Sequence, residues 1–165
     1  MFSYIALMEL QEILEQRHSV RRFTQEPLTD EQICAIEAAA SLAPTSHNSH
    51  SCSVVHTTDK DQLLAISESR DAGLSFFKYA PCAFAVIGDE EKSNVWVEDA
   101  SIAATYILLK AHDMGLGACW GQIRLRTKNG ADAEAAIKDI LGIQPDKRVL
   151  CVVAVGHKAP KPAEI

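Results

Sequence analysis

The stretch Val95–Gly121, VWVEDASIAATYILLKAHDMGLGACWG, contains the longest helix that the sequence predicts and the turn that follows it. The helix is predicted from about Asn94 to Met114, and Gly115 is the residue type that ends a helix in the left-handed conformation. Apolar residues cover most directions around it: Val95, Val97, Ile102, Ala103, Tyr106, Ile107, Leu109 and Ala111. Such a helix is expected either in the centre of a core or shared with a second subunit.

Shorter elements are predicted on both sides of this stretch. Strands are expected at Cys52–Thr57, Cys82–Gly88, Ala118–Ile123 and Val149–Val155. Helices are expected at Glu9–Gln16, from a Thr29–Gln32 capping box to about Leu42, at Asp59–Glu68 and at Asp132–Leu141, and the segment from Ser69 to Ala80 is ambiguous. Because some helices follow one another directly, the order favours an α+β fold with a mostly antiparallel central sheet over regular β-α-β alternation.

Length and composition predict one globular domain over residues 1–165. Residues 1–7 are expected to be disordered or to precede an alternative start, and residues 157–165 to form a tail. The net charge of −6 argues against general binding of nucleic acid. No signal peptide or membrane-spanning run is recognised. The five scattered cysteines suggest reduced, mostly buried thiols and a cytoplasmic location.

A basic segment at Arg17–Phe23, RHSVRRF, stands out in this acidic chain. Arginine side chains match the geometry of phosphate, so the segment predicts an anionic ligand. The alternative is a solvated helix end, since cations also suit helix C-termini.

The loop at Pro44–Cys52 is dense in side chains that form hydrogen bonds, and three interpretations stay open. It is an ordinary polar turn, a metal site built from His47, His50 and Cys52, or a polar floor for a heteroaromatic ring. Its spacing matches no zinc pattern.

The glycine-rich turn at Gly115–Gly121 follows a helix, so it is not a dinucleotide fingerprint. A glycine inside a strand often marks close approach of a ligand, which is the interpretation favoured for Gly121. No nucleophile motif or phosphate-binding loop is present, which is typical of an enzyme whose cofactor supplies the chemistry.

Taken in order, these motifs resemble the nitroreductase family of FMN-dependent oxidoreductases. The resemblance covers nearly the whole chain. It rests on R-x-S-x-R-x-F at Arg17–Phe23, A-P-T at Ala43–Thr45, Asn48, the strand after Pro81, G-L-G-x-x-W at Gly115–Trp120 and V-x-V-G at Val153–Gly156.

The resemblance implies a nitroreductase-like fold, an intertwined homodimer with FMN at the subunit interface, and specific site residues. Arg17, Ser19 and Arg21 would hold the phosphate, ribityl chain and pyrimidine edge, with His18 contributing mostly backbone. The partner subunit would place Pro44, Thr45 and Ser46 beside the ring. The remaining cofactor-binding residues would be Asn48, His50, Trp120, Gly121 near flavin N5, and Lys161 at the phosphate.

The implied activity is hydride transfer from NAD(P)H through flavin N5 to a nitroaromatic or quinone by a ping-pong mechanism. No catalytic side chain and no metal are expected. The alternatives are reductive dehalogenation, flavin breakdown or a non-catalytic flavin-binding protein. A helical insertion common in the family is replaced by only Asp89–Asn94, so the pocket is expected to be open or covered by the Phe76–Phe77 segment.

Overall fold

The computed structural model of the protein describes residues 9–160. In this part of the chain the strands are β1 (Cys52–Thr57), β2 (Cys82–Gly88), β3 (Gly117–Gln122), β4 (Thr127–Lys128), β5 (Ala131–Asp132) and β6 (Arg148–Gly156). The α-helices are α1 (Leu10–Gln16), α2 (Asp30–Ser41), α3 (Lys60–Glu68), α4 (Trp96–Asp113) and α5 (Ala133–Leu141). Short 3₁₀ turns cover Ser46–Asn48 and Ser75–Tyr79.

The main sheet has the strand order β1-β2-β6-β3, and every neighbouring pair is antiparallel. This confirms the α+β prediction with an antiparallel sheet. β6 and β2, the two apolar strands, occupy the centre, where both faces of each strand are covered. β3 is left at one side of the sheet, so its outer edge is available to other groups.

Two apolar cores lie on opposite faces of this sheet. One core packs Ile36 of α2 and Ile107 of α4 against Val153 of β6. The other packs Ile66 of α3 and Phe77 against Val152. Neighbouring residues of β6 enter different cores because successive side chains of a strand point to opposite faces.

The ends of the helices follow local sequence signals. The Thr29 side chain accepts a hydrogen bond from the Gln32 N–H, and the Gln32 side chain accepts one from the Thr29 N–H, so the predicted capping box is present. Asp59 and Asp132 are the caps that precede α3 and α5, and the helices begin one residue later than predicted. Gly142 ends α5 in the left-handed conformation, with φ of 65°.

One element differs from the sequence-based expectations. The hairpin β4–β5 was not predicted, although Asn129-Gly130 is a typical hairpin turn and both residues have positive φ. Its strands are only two residues long and largely exposed, so they carry no alternating pattern. The long helix α4 is buried on most sides but leaves Ile102 37% exposed in the single chain. None of the helices described is both long and apolar enough to cross a membrane.

Candidate functional site

The basic segment lies along the sheet rather than at a free helix end. The Val20 N–H donates to the Ala118 carbonyl at 2.9 Å, and Ser19 forms a parallel bridge with the same residue. On its other side the segment pairs with the residues after β6, where the Thr24 N–H donates to the His157 carbonyl at 2.9 Å. These bonds hold the segment beside the beginning of β3.

Two of the predicted site residues are placed next to β3 by this pairing. Burial raises the pKa of the Cys119 thiol, while the Arg21 charge and a hydrogen bond with the Ser19 side chain act in the opposite direction. Both side chains therefore lie beside the strand that carries Trp120, as expected if the two motifs form one site.

Four basic side chains, here called the basic cluster, meet beside the last turn of α4: Arg17, His18, His112 and Lys158. The first three line one crevice. Burial lowers the pKa of His112, and the positive charges of Lys158, His18 and Arg17 lower it further. The Lys158 backbone is bridged to Phe23, at the end of the segment that carries Arg17 and His18. The cluster concentrates positive charge that an anion would neutralise.

His112 adds a second property to the basic cluster. The residue is buried, at 7% exposure, and its Nε2 atom has no hydrogen-bond partner among the described residues. A buried polar atom left without a partner costs about 1–3 kcal/mol.

The direction of the backbone groups along β3 follows from two hydrogen bonds. The Ala118 carbonyl accepts from Val20, outside the sheet. The Gln122 carbonyl accepts from Arg70 Nη1 at 2.7 Å, also outside the sheet. In an antiparallel pair, alternate residues direct their backbone groups toward the partner strand.

Beyond Ala118, which is bridged to Ser19, the outward N–H groups of β3 therefore belong to Trp120 and Gln122, whereas the N–H of Gly121 faces β6. The same two residues are joined by their side chains, since Trp120 Nε1 donates to Gln122 Oε1 at 2.8 Å. Gln122 was not among the predicted site residues. Only the strand register shows that it shares the outer edge with Trp120.

Gly121 has a packing reason for being glycine. A Cβ atom there would lie 2.6 Å from Phe77 Cε2 and 2.7 Å from Leu74 Cδ2, both in fully buried side chains. Close packing of the protein's own core therefore requires glycine at this position.

The Phe76–Phe77 segment is not a cover over a pocket. Phe77 is completely buried, and its ring stacks on Phe76 with centroids 4.6 Å apart. Phe76 instead lines an open groove of about 510 Å³ between Arg21–Gln25 and the turn at Ser75–Tyr79. Phe23 and Phe76 form the buried part of this groove, and its rim carries the exposed side chains of Arg21, Gln25 and Tyr79.

The polar loop at 44–51 is anchored to the first turn of α4 by Asp99. This carboxylate, 4% exposed, accepts from the Ser46 N–H at 2.9 Å and from Ser51 Oγ at 2.7 Å. Burial alone would raise the pKa of Asp99, but hydrogen bonds from Ser51, Ser46 and Ser93 hold it below its ordinary value. Asp99 is therefore a charged anchor for the loop.

The anchored loop has an unusual backbone. His47, Asn48 and His50 all have φ near 50°, in the left-handed region that non-glycine residues rarely adopt. Such conformations persist where the surroundings impose them, and they are concentrated at binding sites. The His50 N–H donates to Thr45 Oγ1 at 3.1 Å, which helps to hold this shape.

One chain does not bring all the predicted site residues together. Arg17, His18, Ser19, Arg21, Trp120 and Gly121 lie along the β3 side of the sheet. The loop with Pro44, Thr45, Ser46, Asn48 and His50 is tied to Asp99, thirteen residues before His112 on α4, which is about 20 Å along a helix. Lys161 lies outside the described residues, and Lys158 supplies the lysine that the structure brings to the basic cluster.

The metal interpretation of the loop has no support in residues 9–160. No group of three histidine, cysteine, aspartate or glutamate side chains is arranged there to hold a metal ion. His47 and His50 are exposed and belong to the left-handed turn, whereas Cys52 begins β1.

Asp99 and His112 are functional candidates that the sequence reasoning missed. Both are polar residues inside the longest apolar stretch of the chain, and that contrast is the signal that could have found them. Their partners come from distant segments, so their roles could not be assigned without the fold.

The comparisons with known proteins agree with this architecture. A model of the nitroreductase family matches residues 14–69 and 64–157. The structure of an FMN-dependent nitroreductase from Clostridium difficile R20291 has a TM-score of 0.88 and 35% sequence identity, covering 94% of this chain and 91% of that chain.

Curated proteins extend the same similarity. A protein of Archaeoglobus fulgidus, named "Putative NADH dehydrogenase/NAD(P)H nitroreductase", is 29% identical over 153 residues, 90% of this chain and 85% of that protein. An NADPH-flavin oxidoreductase of Vibrio harveyi is 26% identical over 170 residues, 93% of this chain and 67% of that protein. The expected fold is thus confirmed by both sequence and structure.

Proposed function

The chain belongs to the nitroreductase family, and from this premise we propose that it is an FMN-dependent oxidoreductase that uses NAD(P)H. The names of its relatives confirm the expected enzyme class and cofactors, since they include an FMN-dependent nitroreductase and an NADPH-flavin oxidoreductase. The observation that carries the proposal is the basic cluster, which stands at one end of an open strand edge.

The residues present fit FMN. The basic side chains of Arg17, His18 and Lys158 suit a phosphate. From Ala118, beside that cluster, to Gln122 the edge of β3 extends about 13 Å, at 3.3 Å per residue. A ligand with an anionic end and a flat polar ring can lie along such an edge.

When bound, FMN would accept hydride from NAD(P)H and pass electrons to an acceptor such as a nitroaromatic or quinone in two half-reactions. The chain supplies binding and orientation. Outward N–H groups at Trp120 and Gln122 are donors that stabilise negative charge developing on a ring beside them. We assign the donor role to these groups rather than to Gly121, whose N–H faces β6. No side-chain acid or base is required.

We further propose that the enzyme is a homodimer in which the loop anchored by Asp99 completes the partner's site. An apolar patch on α1 and α4 supports this. Leu10 and Leu14 are 64% and 53% exposed and share an open concavity with Tyr106 and Leu109. Exposed apolar patches of this kind mark interfaces between proteins.

The cofactor assignment is tested by the flavin content of variants. Replacing Arg17→Ala removes a charged contact worth about 1.5–3 kcal/mol, so FMN should bind about ten- to hundredfold more weakly. Released flavin per chain and far-UV circular dichroism are measured together. Arg126→Ala, an exposed arginine outside the basic cluster, is the matched control.

Turnover distinguishes a catalyst from a flavin-binding protein. Wild type should oxidise many equivalents of NAD(P)H per flavin when a nitroaromatic or quinone is present, and parallel lines in double-reciprocal plots would indicate a ping-pong mechanism. A single equivalent consumed per flavin would contradict the enzyme assignment.

Unchanged flavin content in Arg17→Ala would contradict the phosphate assignment.

A further inference from the structure

His112 is the one member of the basic cluster that lies inside the protein. It is 7% exposed, in the last turn of α4, and its Nε2 atom has no partner within residues 9–160. The side chain lines the same crevice as Arg17 and His18, closed by Leu116 and Ala118. A buried histidine whose ring nitrogen is unsatisfied is unusual, because buried polar atoms are normally paired.

The charges around His112 come from three parts of the chain. Arg17 and His18 face it from the segment after α1, and Lys158 faces it from the residues after β6. On α4 itself the neighbouring Asp113 acts in the opposite direction, but this carboxylate is paired with Lys110 Nζ at 2.7 Å. Burial, and after it this positive charge, lower the pKa of His112, so that the neutral imidazole is favoured in the protein without a ligand.

We propose that His112 takes up a proton when a phosphate monoester occupies the basic cluster, so that binding of the FMN phosphate is linked to protonation of this residue. The proposal rests on the proposed function. An anion placed among Arg17, His18 and Lys158 cancels the repulsion that opposes an imidazolium. The proton comes from solvent, adds to the neutral imidazole, and leaves both ring nitrogens as donors.

The linkage has a defined sign. A histidine whose pKa is lower in the free protein than in the complex binds a proton on complex formation, so affinity falls as pH rises through the pKa of the complex. The second ionisation of a phosphate monoester, near pH 6, works the other way because the dianion binds better. Proton uptake must therefore be measured directly, and not inferred from affinity alone.

The test is calorimetric titration of flavin-free protein with FMN and with riboflavin, which lacks the phosphate, in buffers of different ionisation enthalpy near pH 7. The wild-type protein should take up a fraction of a proton for each FMN bound, and no proton when it binds riboflavin. His112→Gln should lose this uptake and bind FMN several-fold more weakly, with riboflavin affinity unchanged. His56→Gln, a histidine paired with Glu37 away from the cluster, is the matched control.

The outcomes separate the two proposals. Equal proton uptake in wild type and His112→Gln, or uptake with riboflavin, would overturn the role of His112 while leaving FMN binding intact. If wild type binds no FMN, the proposed function fails. The role of His112 is then tested by NMR, by following its imidazole resonances while the protein is titrated with inorganic phosphate. The proposal requires these resonances to shift toward their positions in the protonated form. Unaltered riboflavin affinity shows that the variant is folded.

Discussion

At the scale of single residues, Asp99 is the side chain on which the polar loop most depends. Asp99→Asn keeps one side-chain oxygen as a hydrogen-bond acceptor and replaces the other by an NH₂ group. That NH₂ group would face a hydrogen-bond donor, since the Ser46 N–H and Ser51 Oγ each donate to one carboxylate oxygen. Loss of satisfied hydrogen bonds at a buried site should lower the free energy of unfolding by about 1–3 kcal/mol. Urea denaturation at pH 7 measures this. Asp113→Asn, whose half-buried carboxylate is paired with Lys110 on the same helix turn, is the control.

The same carboxylate predicts a pH dependence. Its pKa is depressed in the folded protein, so its contribution is present above the unfolded-state value of about 3.9 and is lost as pH falls through the folded pKa. The stability difference between wild type and Asp99→Asn should therefore shrink below about pH 4. A difference that stays constant into that range would show that the charge of Asp99 does not stabilise the loop.

The cysteines give a second prediction at this scale. Cys34 is exposed, Cys52 is half-buried, and Cys82, Cys119 and Cys151 are buried. Burial raises the pKa of Cys82 to about 12, and thiolate is the reactive form. A chromogenic disulfide reagent should label Cys34 rapidly, Cys52 slowly, and the buried thiols only after denaturation. Rapid labelling that survives Cys34→Ser would contradict this order.

At the scale of elements, the start of α2 is the clearest local contribution. Thr29→Ala removes the side-chain acceptor of the capping box and should cost about 1 kcal/mol of stability. The expected result is a lower thermal midpoint with the fold and the flavin content unchanged. Thr58→Ala, an exposed threonine between β1 and α3, controls for the substitution itself. An equal effect in both variants would show that the cap contributes nothing.

Caps are also the features that the sequence predicts best, because their partners lie within two or three residues. Thr29, Asp59 and Asp132 each accept hydrogen bonds from the turn that follows them. The hairpin at Asn129-Gly130 was not predicted because its strands are only two residues long and largely exposed. The outer edge of the sheet is harder to predict from the sequence. Which N–H groups of β3 face outward depends on how this strand pairs with β6.

At the scale of the whole molecule, the exposed apolar patch on α1 and α4 predicts the assembly. Leu14→Glu places a charge in a surface that the proposed dimer buries, so the variant should sediment as a monomer and lose FMN. Sedimentation velocity and flavin content measure both effects. Leu64→Glu, an equally exposed leucine on α3 outside the patch, should leave both unchanged. A dimeric Leu14→Glu would place the interface elsewhere.

By itself the sequence determined the helices, the four strands of the main sheet, the caps, the α+β class and the family, because these depend on patterns and motifs that are local or ordered along the chain. Only the tertiary structure decided that Lys158 and His112 join Arg17, that Asp99 holds the polar loop, and that Gly121 is glycine for Phe77. The physical reason is distance along the chain. Burial, charge and hydrogen bonding act between neighbours in space, and folding brings these segments together.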